Sequence, residues 1–342
     1  MPIFQAAALT DLARKIFQAA GAPPKAAQRV SESLVGANLA GIDSHGVVRV
    51  AQYVGFIQKG ELDPKAGPTV VVDHPSLAMV DGHHGFGQVI AVYGIEIAME
   101  KARSTGIGVV GLRRTHHIGR VGEYVLKAAE AKMVGVGFCN GCTPNVAPFG
   151  AIQRVFGTNP IACAAPSRDG NPILIDLATS LATEGKVRVA RNTGQRLEKE
   201  TAINRRGEET TSPDDFYDGG ALLPIGRHKG SALSLMIEIL GGFLTGAGSP
   251  AFADRDIGNG VLFIVLDPKI FREGLDPFLD DMERMQKAIK KAERAKGVEE
   301  VLLPGEPEFR SERIRRETGI PLDEKTWAEL RDLAERLGVS QP

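Results

Sequence analysis

The apolar residues of this chain keep a helical period at both ends and a strand period between them. Leu12, Ile16, Phe17 and Ala20 fall on one face of a helix that Gly21 stops. Pro23-Pro24 opens a second, with Val30, Leu34 and Ala37 inward, and a third runs through Tyr53 and Ile57 to Gly60. From Thr69 the period shortens. Strands are expected over 69–72 and 77–80, a glycine-rich loop over 82–87, then helix 88–104, strand 107–112, helix 121–131 and strand 134–139. Short strands come next at 161–165 and 173–175, and a fully apolar one at 261–266. Residues 192–218 are polar and turn-rich, which predicts a surface excursion; 229–244 read as a buried helix with Glu238 inside it. A helix from Asp276-Pro277 to about Lys296, and a last one marked by Trp327, Leu330, Leu333 and Leu337, close the chain. The pattern predicts an α/β fold. Residues 1–68 with 275–342 would form a helical domain from the two chain ends, and 69–274 a sheet-rich domain.

Composition narrows the function. The 342 residues, 43% of them hydrophobic, supply core for about two domains. A net charge of −1 leaves no basic field for nucleic acid. No uncharged apolar run reaches the ~18 residues a membrane helix needs, and the first residues lack a secretory signal pattern. Three cysteines do not make a disulfide framework. The expectation is a reduced, cytoplasmic protein.

Ser44, His45 and Arg49 crowd into a glycine-punctuated joint between two predicted helices. Imidazole trades protons near neutral pH, and guanidinium pairs with carboxylate through two parallel hydrogen bonds. The set suits a carbonyl that must be protonated beside a carboxylate. If 46–53 is helical, Arg49 and Tyr53 share a face with His45; the same residues also fit a solvated helix end capped by Ser44. Arg120 precedes a predicted helix, where it would suit an anion unless the basic turn is merely solvated. Asp176, at the end of an apolar strand, either caps the next segment or orients a histidine. His228 and Lys229, among glycines at a helix start, read as a phosphate cradle or as plain capping.

Gly106-Ile107-Gly108-Val109-Val110-Gly111 matches G-x-G-x-x-G, but a helix precedes it and its glycines lie in a strand, so it is not a dinucleotide fingerprint. Cys139 and Cys142 form a C-x-x-C with only Cys163 beside them, too few ligands for zinc. Their strand end lacks the helix that activates a redox thiol. The pairs His83-His84 and His116-His117 have no carboxylate at metal spacing, so no metal is expected.

Several stretches occur together in a familiar order and approximate spacing: Ser44-His45-Gly46-Val47 with Arg49, His117 with Gly119, Pro148-Phe149-Gly150, Gly157-Thr158-Asn159-Pro160, Asp176-Leu177-Ala178-Thr179-Ser180 and Lys229-Gly230. Over about residues 5–335 the chain resembles the type 2 malate/L-lactate dehydrogenases, a family that includes ureidoglycolate dehydrogenase and diketogulonate reductase. The resemblance implies a non-Rossmann, sheet-centred NAD(P)-binding domain, a homodimer, to which the apolar faces of the terminal helices in 1–68 and 275–342 are expected to supply much of the contact, and NAD-dependent (or NADP-dependent) exchange between a small 2-hydroxy acid and its 2-oxo acid. It implies a proton relay of Ser44, His45 and Asp176, with His117 matching the acid of the ureidoglycolate branch. It puts substrate contacts at Arg49 and Thr158. Cofactor contacts fall at His117, Gly119, Arg120 and Val121, at Ile175, Asp176, Leu177, Ala178, Thr179 and Ser180, at His228 and Lys229, and at Gly305, Glu306 and Pro307. The chain departs from many members at His116, where Asn is usual, at Ala151, where Gly is usual, and near Asn204, where Asp is usual. The nearest alternative is a reductase of cyclic imine 2-carboxylates; from other classes, a non-catalytic ligand-binding protein or a C-x-x-C redox protein.

Overall fold

The computed structural model describes residues 1–168, 170–255 and 258–340. Helices α1 (Ala6–Ala19), α2 (Pro24–Leu39) and α3 (Val50–Gln58) open the chain. Their apolar faces, with Ile16, Phe17, Leu34 and Tyr53, bury against Leu330, Leu333 and Ala334 of the last helix, Glu324–Arg336. The strand Ile3–Phe4 pairs antiparallel with Ile320–Pro321. The two chain ends therefore share one core.

The middle of the chain forms a seven-stranded sheet. Its strands are β1 (Thr69–Asp73), β2 (Leu77–Gly85), β3 (Ile107–Thr115), β4 (Val134–Cys139), β5 (Ile161–Ala165), β6 (Ile173–Leu177) and β7 (Asn259–Leu266). They lie in the order β1-β2-β3-β7-β4-β5-β6, parallel between β2 and β3 and antiparallel elsewhere. β7 is central and covered on both faces, which is why its sequence is an unbroken apolar run. Val261, Phe263 and Val265 face the core under α4 (Gly87–Thr105) and α5 (Gly122–Glu130). Between β6 and β7 the chain forms α6 (Glu184–Thr193) and α7 (His228–Ile237). Leu262 and Ile264 alternate to the other face of β7, with Ile237 of α7. The glycines of 106–111 serve the helix–sheet packing. A Cβ at Gly108 would stand 1.9 Å from the Ala98 carbonyl oxygen of α4, and one at Gly111 would stand 2.3 Å from the Met79 sulfur. They let neighbouring elements touch and cradle no phosphate.

Several expectations change. Residues 46–49 are not α-helical. Two 3-10 turns, Asp43–His45 and Val47–Arg49, flank an extended Gly46, and α3 starts at Val50. A Cβ at Gly46 would collide with the Asn38 side chain at 2.2 Å. The loop expected at 82–87 is the end of β2, kinked by left-handed His83 and His84 and a register shift before Gly85. The excursion at 192–218 is a folded lobe: it carries the small strands Ala202–Ile203 and Glu209–Thr210, with Phe216, Leu197 and Ala202 in a buried cluster with Val146. The helix expected over 229–244 is α7 continued by a π-turn, Glu238–Phe243, and it is not buried all round: Leu235, Ile239 and Phe243, four apart, are about half exposed, as is Phe252, whose ring stacks on Phe243. The helix from Asp276 ends at Lys291, and Glu306–Thr318 forms a further helix with no fully buried residue, hence no apolar stripe to betray it.

Candidate active site

The antiparallel pairings bring chemistry to one end of the sheet. Thr115, Cys139, Ile161, Leu177 and Asn259 all terminate strands there. Just beyond them lie His116-His117, Cys142 and Thr158, with Asp176 one residue inside the end of β6, and the α2–α3 joint with Ser44, His45 and Arg49 closes over them. Asn259 and Asn140 brace this end: the Asn259 Oδ1 accepts from the Ile118 amide at 3.0 Å, and the Gly260 amide donates to Asn140 Oδ1 at 2.6 Å.

A cavity of about 540 Å³ opens at this place, lined by His45, Arg49, His117 and Thr158 among others. Arg49 is buried; its Nε donates to the Ser44 carbonyl at 2.7 Å and its Nη1 to Gln52 at 2.8 Å, while Glu184 stands 3.6 Å away. Glu184 opens α6 and also pairs with Arg188 at 2.9 Å. Gly185 lets α6 close on the joint, since a Cβ there would meet Ser44 Cβ at 2.5 Å.

The two imidazoles lie stacked, 5.6 Å between centroids and 24° apart. Each has a hydroxyl at Nδ1: Ser44 Oγ on His45 at 3.0 Å, Tyr53 OH on His117 at 2.6 Å. Gln88 in turn donates to Tyr53 at 2.9 Å. Tyr53 thus reaches His117 rather than sharing a helical face with His45. Burial, then the positive charge of Arg49 and Arg120, pushes His45 down to about 3. Burial, Arg49 and His45 itself hold His117 well below its usual range. Both rings are neutral at neutral pH, and among the described residues neither Nε2 makes a hydrogen bond.

Asp176 sits apart from this pair in the bond network: its Oδ2 accepts from the Gly122 amide at 2.9 Å, and burial raises its carboxyl to about 6. Around it the remaining segments converge. The Leu174 amide donates to Pro304 O, and a Cβ at Gly305 would stand 2.9 Å from Leu174 Cβ. Glu306 caps its own segment by accepting from the Leu303 amide and pairs with Lys290 at 2.5 Å. Thr179 and Ile225 share a backbone bond, which sets the turn before His228 and Lys229 alongside; both side chains are exposed. The arrangement fits a dinucleotide. β6 is a sheet edge with Ile175 and Leu177 more than a third exposed, and the buried Arg120 Nε has no partner among the described residues, as a cation awaiting an anionic group would.

The C-x-x-C behaves differently. Cys139 is buried, Cys142 lines the cavity, and burial raises Cys142 to about 11 and Cys139 well above its usual value. A reactive dithiol needs the opposite shift.

Known proteins share this fold. The profile of the malate/L-lactate dehydrogenase family matches residues 4–331. The chain belongs to that family. A malate dehydrogenase of Pyrococcus horikoshii is 39% identical over 93% of this chain and 91% of its own. A Δ1-pyrroline-2-carboxylate/Δ1-piperideine-2-carboxylate reductase of Pseudomonas putida is 35% identical over 96% and 95%. The crystal structure of malate dehydrogenase from Entamoeba histolytica superposes with a TM-score of 0.94 at 26% identity, covering 100% of this chain and 99% of that one. Membership agrees with the sheet-centred, non-Rossmann architecture, and among the described residues no helix is long and apolar enough to cross a membrane.

The sequence did not single out Glu184, Gln88 or Glu238 for this site. Gln88 was the most accessible of them, a polar residue among apolar ones at a helix start. Glu238 accepts from Asn159 at 2.8 Å, and Asn159, held at φ 35° beside Thr158, accepts from the Gly141 amide at 2.9 Å. This chain of bonds shapes the cavity floor.

Proposed function

We propose that this chain uses a nicotinamide dinucleotide to interconvert a small 2-hydroxy acid, of the malate or lactate kind, and its 2-oxo acid. The observation that carries this reading is the buried Arg49 guanidinium beside two stacked, neutral imidazoles in one cavity. Arg49 holds the substrate carboxylate through paired hydrogen bonds and so fixes the reacting carbon and oxygen. In oxidation His45 takes the hydroxyl proton on Nε2 while Ser44 steadies its Nδ1. His117, backed by Tyr53, is the second candidate for that role. Two charged rings in this stack would repel, so the pair carries at most one positive charge. A carboxylate on Arg49 offsets the guanidinium charge and makes the rings easier to protonate for the reductive direction. When bound, the nicotinamide supplies hydride transfer at the substrate's second carbon. Residues of 117–121, 173–180, 228–229 and 305–307 would hold the dinucleotide, with Arg120 as the cation for its phosphates.

NAD is the proposed coenzyme and the cytoplasm the proposed location. The proposed assembly is a homodimer. Its support is the exposed apolar row Leu235, Ile239 and Phe243, continued by Leu244 and Phe252, because such a patch marks an interaction surface. The terminal helices offer less, having spent their apolar faces on their own core. The proposed domain division is 1–68 with 275–342 against 69–274.

The test is reduced-nicotinamide absorbance with NADH and with NADPH, against pyruvate, oxaloacetate and a cyclic imine 2-carboxylate. Turnover of a 2-oxo acid supports the reading. Turnover of the imine alone replaces it with the reductase of the Pseudomonas relative's kind, and no turnover with either coenzyme overturns it.

A further inference from the structure

We infer that His116 reads the far end of the substrate, hydrogen-bonding a second polar group, such as a carboxylate, beyond the 2-oxo acid end that Arg49 takes. The inference rests on the 2-hydroxy acid reading above and sharpens it to acids with two polar ends.

Among the described residues, His116 is alone in the cavity wall in having two ring nitrogens, both buried, with no hydrogen-bond partner. Only 2% of the residue is exposed. Its neighbour His117 shows what this fold does with an imidazole that needs a protein partner: it supplies Tyr53 and Gln88 behind it. Against His116 lies instead the ring of Phe56, which lines the same cavity, 4.5 Å away at 48°, and offers no hydrogen bond. A buried donor or acceptor left unmade is costly, so the ring is poorly explained as packing.

The position of the residue is fixed as well. Its amide donates to Gly85 O at 3.1 Å, and a Cβ at Gly87 would stand 2.3 Å from its carbonyl oxygen, so α4 is clamped on this peptide. Burial, with His84 adding a smaller push, holds the ring down to about 4, leaving one donor and one acceptor nitrogen at neutral pH. Lys59 and Glu61 line the same cavity, so its charged lining has both signs. The cavity thus has a guanidinium for one end of the substrate and a fixed donor for the other.

The experiment compares oxaloacetate with 2-oxobutyrate, which have the same four-carbon frame and differ by a carboxylate against a methyl group. The expected wild-type preference is for oxaloacetate. His116→Leu should lower the ratio of the two kcat/KM values by ~10–100-fold, because a site built to bond a polar group discriminates against its absence. The loss should fall on oxaloacetate, with 2-oxobutyrate unchanged or improved. His116→Asn, which keeps a donor and an acceptor, should recover part of the ratio, and thermal melting of both variants should stay near wild type. Equal loss on both substrates makes His116 a structural residue and overturns the inference. So does an unchanged ratio, or a wild-type preference for 2-oxobutyrate. If the wild-type protein reduces neither acid, it is the dehydrogenase reading that falls.

Discussion

The two sides of the site are built by opposite means. On the proposed substrate side, Arg49, His45 and His117 are tied to protein groups: a backbone carbonyl, Gln52, Ser44 and Tyr53. On the proposed cofactor side, the segments meet at a sheet edge, His228 and Lys229 stand exposed, and Arg120 Nε has no partner among the described residues. Apart from His116, whose ring nitrogens have no partner among the described residues, the first side is finished by the fold and pre-organised for a transition state. The second leaves a cation for its proposed ligand. Substitutions should therefore separate cleanly into those that injure chemistry and those that injure coenzyme binding.

The sharpest separation is expected at His45. His45→Ala should cut kcat by ~10²–10⁴, the usual worth of a positioned acid or base, with coenzyme affinity unchanged in a fluorescence titration. Full activity there, with the loss confined to His117→Ala, would move the proton to the other ring. On the opposite side, Arg120→Gln should weaken NADH binding by ~10–150-fold, the value of one charge-assisted hydrogen bond, and should flatten its salt dependence. An equal effect on the 2-oxo acid's KM at saturating NADH would blur the two sides. Gly46→Ala drives a methyl into Asn38, whose Oδ1 accepts from the Val47 amide at 2.9 Å. It should cost ~1–3 kcal/mol of stability and raise KM for the acid more than for NADH.

A further expected effect is on pH dependence, and it has opposite signs on the two sides. Asp176 is raised from 3.8 to about 6 in the folded protein. Its stabilising contribution is present below 3.8 and lost as pH rises through about 6. His45 is lowered from 6.5 to about 3, so its contribution is present above 6.5 and lost as pH falls toward 3. Melting curves between pH 4 and pH 7 should show Asp176→Asn gaining on wild type as pH rises, and His45→Ala gaining as it falls.

Much of this was written in local pattern. The period change at Thr69 located the sheet, and the apolar run after Asn259 located its two-faced central strand. The Ser44-His45-Arg49 cluster stood out because three chemically active groups fell within six residues. What stayed hidden depends on contacts distant in sequence. Tyr53 bonds His117 across 64 positions. Gly46 looked compatible with a helix until Asn38 was beside it. The lobe at 192–218 is polar along the chain because its few core residues are borrowed from Val146 and Phe156. The helix Glu306–Thr318 lacks an apolar stripe to announce it.

The central claim is that Arg49 holds the substrate carboxylate and takes no part in binding the coenzyme. It is tested by Arg49→Met, with steady-state reduction of the 2-oxo acid measured alongside NADH titration by fluorescence. Leaving the carboxylate buried and unpaired costs ~2–5 kcal/mol. The expected result is thus a fall in kcat/KM of ~30-fold to several thousand-fold, partly restored in Arg49→Lys, with the NADH dissociation constant nearly unmoved. Equal weakening of acid and NADH would contradict the account and assign Arg49 to the coenzyme site or to the fold.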